Sequence, residues 1–443
     1  MAQKIGMVSL GCPKNQVDAE RLLYHLKEAG FEITAEEEKA DVIIVNTCGF
    51  IESAKSEAIE NIVEVSGYKE SGNLKALIVT GCLAERYKEQ IISEMPEVDA
   101  VLGLGANLDI VDTVKRVLSG EKVQNYPEKK NLPLCGERIL TTPFYTAYLK
   151  VAEGCDNRCT YCAIPDIRGS FRSLPIEQCV EEAKTLAQNG VKELVVVAQD
   201  TTNYGKDIYG EPKLCELLRE LCKIEGIEWI RTLYTYPEKI TDELLDLIAS
   251  EEKLVPYLDI PIQHCNDKIL KRMNRKGKKE DLISLIKRIR EKIPNITLRT
   301  SLITGFPGEI EEDFTELCEF VRQIRFDRLG CFAYSAEEDT PAAKFENQVE
   351  IQTRYDRSEN IMNDQMTIAA EKNEEKIGKT LKVLVEGYDS YIKCFFGRSE
   401  ADAPDIDGKV FFMSEKPLAV GSFANVLIND VLEYDLLGER VED

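Results

Sequence analysis

Short apolar runs, each followed by a stretch of helical periodicity, recur down most of this sequence. A chain patterned that way has one economical solution: parallel strands side by side, with helices packed on the sheet faces. In the first region the strand-like runs are Lys4–Leu10, Asp41–Asn46, Lys75–Thr80 and Asp99–Leu102. Helical patterns cover Val17–Ala29, Ser53–Val65, Ala84–Ile92 and Leu108–Leu118. From Ser119 to Pro143 the periodicity fades, and Pro127, Pro133 and Pro143 with Lys129 and Lys130 have the composition of a linker. Six more strand-like runs follow: Ala147–Ala152, Glu193–Ala198, Trp229–Tyr234, Pro256–Ile260, Ile296–Ile303 and Arg328–Tyr334. Helical stretches such as Ile176–Gln188, Lys213–Lys223 and Glu311–Ile324 separate them, which predicts a partial TIM-like (β/α)6 barrel, open on one side. A charged helical pattern, Glu346–Lys376, leads out of it. Beyond Gly378 the period changes again. Leu381–Val385, Cys394–Arg398, Lys409–Met413, Phe423–Ile428 and Leu432–Leu437 predict five short strands in a small antiparallel, OB-like barrel.

The expected fold class is α/β. An N-terminal parallel-sheet domain spans residues 1–120, a linker 121–143, the barrel core 144–372 and the β-barrel 373–443. A chain of 443 residues is too long for one ordinary core. No apolar run approaches the roughly 20 residues that cross a bilayer. The N-terminus has no long apolar segment with a cleavage site, so no membrane partner is expected and the cytoplasm is the expected location.

The chain holds 14 Cys but only two His, His25 and His264. In a long chain without secretory features, cysteines in that number point to metal ligation or redox chemistry rather than to disulfides. Two histidines leave little room for a His-based zinc site or acid–base mechanism. The net charge of −23 argues against a nucleic-acid substrate, which calls for a basic footprint. It suits a small molecule or a basic protein better, although acidity also serves simple solubility.

Cys155-Asp156-Asn157-Arg158-Cys159-Thr160-Tyr161-Cys162 follows the first barrel strand directly, on the face where such barrels carry their active sites. Three thiolates at this spacing hold three irons of a 4Fe–4S cube and leave the fourth open. An open position marks a catalytic metal centre rather than a structural one. The bland alternative is a zinc knuckle short of a ligand, or core cysteines. The spacing resembles the signature of the radical S-adenosylmethionine (SAM) superfamily. That resemblance implies a 4Fe–4S cluster on Cys155, Cys159 and Cys162, with SAM chelated by the open iron and Tyr161 packed against its adenine. Reductive cleavage of SAM then gives a 5′-deoxyadenosyl radical.

Cys12, Cys48 and Cys82 each follow a strand of the first region: Leu10-Gly11-Cys12, Asn46-Thr47-Cys48 and Thr80-Gly81-Cys82. In a parallel sheet those strand ends share one edge. Any one of these cysteines alone reads as a small buried hydrophobe. Three at equivalent positions predict a second cluster with an open iron.

The pairing of sites resembles the methylthiotransferases along almost the whole chain, ending in a TRAM barrel. Ser9-Leu10-Gly11-Cys12-Pro13-Lys14-Asn15-Gln16-Val17-Asp18, Asn46-Thr47-Cys48-Gly49-Phe50-Ile51, Gly81-Cys82-Leu83-Ala84-Glu85-Arg86-Tyr87 and Gln199-Asp200-Thr201-Thr202 carry the likeness. So do Gly397-Arg398-Ser399 and Asp402-Ala403-Pro404-Asp405-Ile406-Asp407-Gly408. These blocks fit the branch of the family that methylthiolates an aspartate of ribosomal protein S-twelve at its β-carbon. The resemblance implies two 4Fe–4S clusters and two SAM per turnover. It also implies sulfur delivered at the Cys12/Cys48/Cys82 cluster and an external electron donor of flavodoxin or ferredoxin type. Leu174 and Cys265 depart from the family pattern.

Gly305 and Gly308, in Gly305-Phe306-Pro307-Gly308-Glu309, resemble a SAM-side loop but equally a plain turn. Gln199, Gln263, Arg299 and Ser335 sit at strand ends, as further cofactor contacts or as ordinary barrel-mouth residues. Cys179, Cys215, Cys222 and Cys318 fall on helical patterns and read as core. From Asn373 onward eight basic residues stand against fifteen acidic ones, a net −7, which fits a basic protein partner better than RNA. Two rival readings stay open: a tRNA adenosine methylthiotransferase with the same chemistry, and a non-catalytic iron–sulfur or zinc module.

Overall fold

The computed structural model describes residues 3–442; Met1, Ala2 and Asp443 lie outside it. Its first layer is a fully parallel sheet of β1 (Lys4–Ser9), β2 (Glu32–Ile33), β3 (Val42–Thr47), β4 (Ala76–Gly81), β5 (Ala100–Leu102) and β6 (Val123–Asn125). Their order is β2-β1-β3-β4-β5-β6. β3 and β4 are buried along their whole length, as strands covered on both faces require. β2 and β6 are too short to show a period in the sequence. β6 lies within the span whose composition resembles a linker, and pairs in register with β5 through Ala100 and Val123.

The second layer holds β7 (Thr146–Lys150), a two-stranded ribbon of β8 (Ala152–Glu153) and β9 (Arg172–Ser173), and then β10 (Glu193–Val197), β11 (Trp229–Thr232), β12 (Leu254–Asp259), β13 (Thr297–Thr304) and β14 (Arg328–Ala333). The order β14-β13-β12-β11-β10-β7 is a six-stranded parallel sheet that does not close. The sequence Cys155–Cys162 is the excursion between β8 and β9, which clamp its base through Glu153 and Arg172. The long helix Ile351–Glu374 leads to a closed barrel of β15 (Thr380–Asp389), β16 (Cys394–Ser399), β17 (Val410–Met413), β18 (Phe423–Leu432) and β19 (Asp435–Arg440). One pair departs from the antiparallel expectation: β17 runs parallel to β19.

This small barrel covers the amino-terminal strand ends of the open one. Thr146, Glu193 and Arg328, the first residues of β7, β10 and β14, all meet it. Arg398 Nη2 donates to Glu193 at 2.6 Å, and Arg328 Nη2 donates to Asp402 at 2.6 Å. The Tyr257 hydroxyl donates to Asp407 at 2.7 Å. Leu384 and Ala403 join Tyr148, Val195, Trp229 and Tyr257 in the apolar layer inside the open barrel. Asp402 and Asp407 therefore fasten the two barrels together, at the end opposite the cysteine excursion.

Candidate active site

β1, β3 and β4 are neighbours, so the loops that leave them share one edge of the sheet. Cys12 occupies the N-cap position before the helix Pro13–Glu28, whose first residue is the proline that helix starts favour. Cys48 follows β3, and Cys82 opens the helix Cys82–Tyr87. Two glycines make the convergence possible. Gly11 has φ +90°, and a Cβ there would stand 2.7 Å from Cys48 Cβ. Gly81 has φ +94°, and a Cβ there would stand 2.5 Å from the Thr47 carbonyl oxygen. Asn15 and Asn46 brace the loops, Asn15 Nδ2 donating to Leu10 O and Asn46 Nδ2 to Asn15 O, both at 2.8 Å.

The three thiols sense one another. Burial pushes the Cys82 thiol up to about 12, with Cys48 and Cys12 adding to the rise against Arg168. Burial also raises Cys48, and Cys12 contributes. Cys12 is different. Burial opposes its ionisation, but the charges of Lys14 and Arg168 and the backbone N–H groups of Asn15 and Lys14 outweigh it, so its pKa lies below the ordinary thiol value.

The second triad is held at its base by Cys155 N, which donates to Gly169 O at 3.2 Å, and in its middle by Asn157 Nδ2, which donates to Asp200 at 2.7 Å. Burial pushes Cys155 up to about 11, with Asp200 and Cys159 adding to it. Burial and the nearby Cys159 also raise Cys162. Tyr161 packs edge-on to Phe306, centroids 6.5 Å apart, among Ile269, Met273 and Tyr334. It supplies an aromatic surface beside this triad.

A buried ion-pair network joins the two triads. Arg168 Nη2 donates to Cys82 Sγ at 3.3 Å and to Asn15 Oδ1 at 3.0 Å. Arg168 Nη1 donates to Asp18 at 2.7 Å and to Glu153 at 2.9 Å. Lys150 Nζ donates to both carboxylates, at 2.9 Å to Glu153. Glu153 in turn accepts the Gly154 N–H at 3.0 Å, one residue before Cys155. None of the four charged residues is more than 2% exposed. Two cations face two anions, as burial of charge demands. Cys82 and Cys155 are thus connected through Arg168, both by way of Glu153 and the Gly154 N–H and by way of Gly169, whose carbonyl accepts the Cys155 N–H.

All 14 cysteines are free thiols. The charge of Cys135 is felt at Cys179, and among the described residues no cysteine outside a triad is among the leading influences on Cys12, Cys48, Cys82, Cys155 or Cys162. Among the described residues no three His, Cys, Asp or Glu side chains are drawn tightly enough round one point to hold a single ion. Three thiolates, one per iron, are the donor set of a 4Fe–4S cube. Both triads fit a 4Fe–4S cluster better than a zinc ion.

The other residues singled out in the sequence divide. Gln199 Nε2 donates to Glu153 at 2.7 Å and its Oε1 is buried without a partner. Gln263 has φ +71° and bridges to β13 through its backbone. Arg299 pairs with Asp259 at 2.8 Å, inside the barrel near Asp407. Ser335 Oγ donates to Glu337, which in turn pairs with Arg86 of the first domain at 2.8 Å. Gly305 is covered by Arg354, whose Cγ lies 2.3 Å from where a Cβ would be, and Gly308 faces Arg272. Leu174 and Cys265 are buried away from both triads, Cys265 Sγ donating to Glu316 O. Sequence reasoning missed Asp18, Lys150, Glu153 and Arg168, and it missed two cations on aromatic faces at the mouth. Lys14 Nζ stands 3.4 Å from the Tyr234 ring centre, and the Arg275 guanidinium 4.1 Å from that of Tyr236.

Known families match this chain in three stretches. Residues 149–321 match the radical SAM superfamily, residues 4–103 the uncharacterized protein family UPF0004, and residues 377–441 the TRAM domain. Among solved structures, the radical SAM methyltransferase TsrM of Kitasatospora setae superposes with a TM-score of 0.55 at 14% identity over 75% of each chain. The cobalamin-dependent SAM radical enzyme OxsB superposes with a TM-score of 0.51 at 16% identity, over 83% of this chain and 58% of that one. At those identities they show the fold alone. The ribosomal protein uS12 methylthiotransferase RimO of Lachnoclostridium phytofermentans is 52% identical over 98% of this chain and 99% of its own. That of Acetivibrio thermocellus is 52% identical over 100% of this chain and 99% of its own. The chain belongs to the RimO family of ribosomal protein uS12 methylthiotransferases.

Proposed function

We propose that this enzyme replaces a β-hydrogen of an aspartate in ribosomal protein uS12 with a methylthio group, and that its two cysteine triads divide the work. The observation that supports this most is the pairing of two three-thiol sites through Arg168 and Glu153 in a chain whose relatives are ribosomal protein uS12 methylthiotransferases. With a 4Fe–4S cluster on each triad and SAM bound, the barrel site would supply the radical that abstracts hydrogen, and the other site the sulfur that is methylated and transferred. Three thiols per triad would leave one iron on each side for SAM or for sulfur. The β-carbon carries no acidic proton for a side-chain base to remove, which accords with radical abstraction of hydrogen.

Arg168 and Glu153 fix the two cysteine loops relative to each other, so the distance over which the reacting carbon must be presented is set by a buried network rather than by a hinge. Tyr161 and Phe306 would present an aromatic surface on the barrel side. A basic ribosomal protein suits the exposed carboxylates of the small barrel, namely Asp405, Glu415, Asp430, Glu433 and Glu439. Asp402 and Asp407, committed to the barrel interface, do not serve this purpose. Work on a ribosomal protein puts the enzyme in the cytoplasm, reduced by a low-potential flavodoxin- or ferredoxin-type donor. Among the described residues no helix is long and apolar enough to cross a membrane.

The test is substrate choice. Reconstituted protein with SAM and dithionite is offered purified uS12 and a tRNA pool together. Methylthiolation of uS12 alone is expected; modified adenosine in tRNA with unmodified uS12 would move the assignment to the tRNA branch.

A further inference from the structure

Ten Lys and Arg side chains are buried among the described residues. Eight are ion-paired to carboxylates: Arg21, Lys55, Lys150, Arg168, Arg231, Arg328, Arg357 and Arg398. That is the usual condition for a buried cation. The remaining two, Lys14 and Arg275, form no ion pair, and both stand on tyrosines of one short segment after β11. Lys14 lies two residues from Cys12 and is 6% exposed. Its ammonium sits over Tyr234 from the barrel mouth. Tyr236, two residues on, carries Arg275 and feels the charge of Cys159. The segment 234–236 therefore spans from one triad to the other.

Tyr234 has φ +62°, a left-handed conformation that bulky residues avoid and that clusters at functional sites. Its backbone is held there from both sides: its N–H donates to Asp259 at 3.0 Å and its carbonyl accepts the Thr201 N–H at 3.0 Å. The ring is fixed and the cation above it lacks a carboxylate. Arg275 Nη2 donates to Pro261 O at 2.5 Å and lies beside Cys159 and Tyr161, on the cofactor side. Lys14 is on the side of the triad read above as the sulfur-bearing one.

We propose that the Lys14 ammonium, seated on Tyr234 between the two triads without a carboxylate partner of its own, binds the side-chain carboxylate of the target aspartate. This rests on the function proposed above. The reacting β-carbon is one bond from that carboxylate, so an ion pair at Lys14 places the carbon next to the sulfur-bearing triad. It also selects aspartate over neutral side chains. An uncharged base such as adenine gives this ammonium no counter-ion.

The experiment uses the full-length, cluster-reconstituted enzyme, with iron per chain counted in every preparation. Binding of uS12 is compared with binding of uS12 whose modified aspartate, located by mass spectrometry, is changed to Asn. The unchanged enzyme is expected to bind the Asp form about 10- to 100-fold more tightly, the range of a charge-assisted hydrogen bond. Lys14→Gln is expected to bind both forms within about twofold, and Lys14→Arg to keep a preference for Asp. Persistence of the full preference in Lys14→Gln overturns the assignment. So does equal affinity of the unchanged enzyme for the two forms, whatever the variants do. A shifted potential of the first cluster in Lys14→Gln, with the Asp preference intact, would make Lys14 a tuner of that cluster instead. An unchanged enzyme that neither binds nor modifies uS12 overturns the proposed function as a whole.

Discussion

Replacing Arg168 with Met removes one of two cations from a buried four-charge network. The side chain of Met fills much of the volume but donates nothing. Asp18 and Glu153 would then share Lys150 alone, leaving one buried negative charge uncompensated. Asn15 and Cys82 would each lose a donor at 3.0 and 3.3 Å. Breaking a buried pair by removing one partner costs about 3–5 kcal/mol. That is a large part of the total stability of about 5–15 kcal/mol usual for a domain. At about 2–4 °C per kcal/mol for units of this size, the apparent unfolding midpoint should fall by roughly 10 °C. Anaerobic thermal unfolding of the cluster-free protein reads this directly. The Asp18→Asn/Arg168→Met pair supplies the control, because both changes act on the same charges. The double variant should lose less than the two single losses combined, by about 1 kcal/mol or more. A midpoint for Arg168→Met within a degree or two of the unchanged protein, or strict additivity in the pair, would refute the idea that this network holds the two cysteine loops together.

Gly81→Ala should displace Cys82, since Gly81 has φ +94° and ψ −158°, a region essentially closed to other residues, at a cost of about 1–3 kcal/mol before the clash with Thr47. Iron per chain should then drop from about eight towards about four, with the barrel cluster intact. Burial tends to raise the carboxyl pKa of Glu193, but Arg398 and Arg231 outweigh it and hold it below the usual 4.5. A depressed carboxylate adds stability that is complete above the unfolded value and is lost as the pH falls through the folded one. The unfolding midpoint should therefore decline below about pH 4.5, and Glu193→Gln should flatten that decline. Neutralising Glu415, Asp430, Glu433 and Glu439 together should raise the KM for uS12 about threefold or more, most at low salt, where exposed charges are least screened. Equal KM values would remove the small barrel from substrate docking.

The strand–helix alternation made most of the scaffold legible, because each apolar run has to be buried and its period says how. Short elements escaped. β2 and β6 carry too few residues to show alternation, and β6 falls among prolines and lysines that resemble a linker. The helix expected from Val17 begins earlier, at Pro13, since its first turn, with Lys14 and Asn15, is polar although buried. The run Ala84–Ile92 is two helices broken at Lys88, whose φ of +45° no periodicity announces. At the candidate site, the six cysteines stood out because three follow neighbouring strands and three share one loop at a fixed spacing. The network that joins them was not. Asp18 lies 132 residues from Lys150 and 150 from Arg168, and nothing in spacing marks charges that meet only in the fold. The acidity of the small barrel was plain in composition, but only the structure separates Asp402 and Asp407, which fasten it to the core, from carboxylates that face solvent.

Two triads with separate duties should fail separately, so separate removal of each is the most direct test. Cys12, Cys48 and Cys82 are changed to Ala in one protein, and Cys155, Cys159 and Cys162 in another. Each is reconstituted and assayed for iron, for 5′-deoxyadenosine and for methylthio-uS12. The first should retain about four irons and still cleave SAM, yet leave uS12 without sulfur; the second should also retain about four irons but cleave none. Loss of SAM cleavage in the first protein, or sulfur insertion by either one, would contradict the division of labour between the triads.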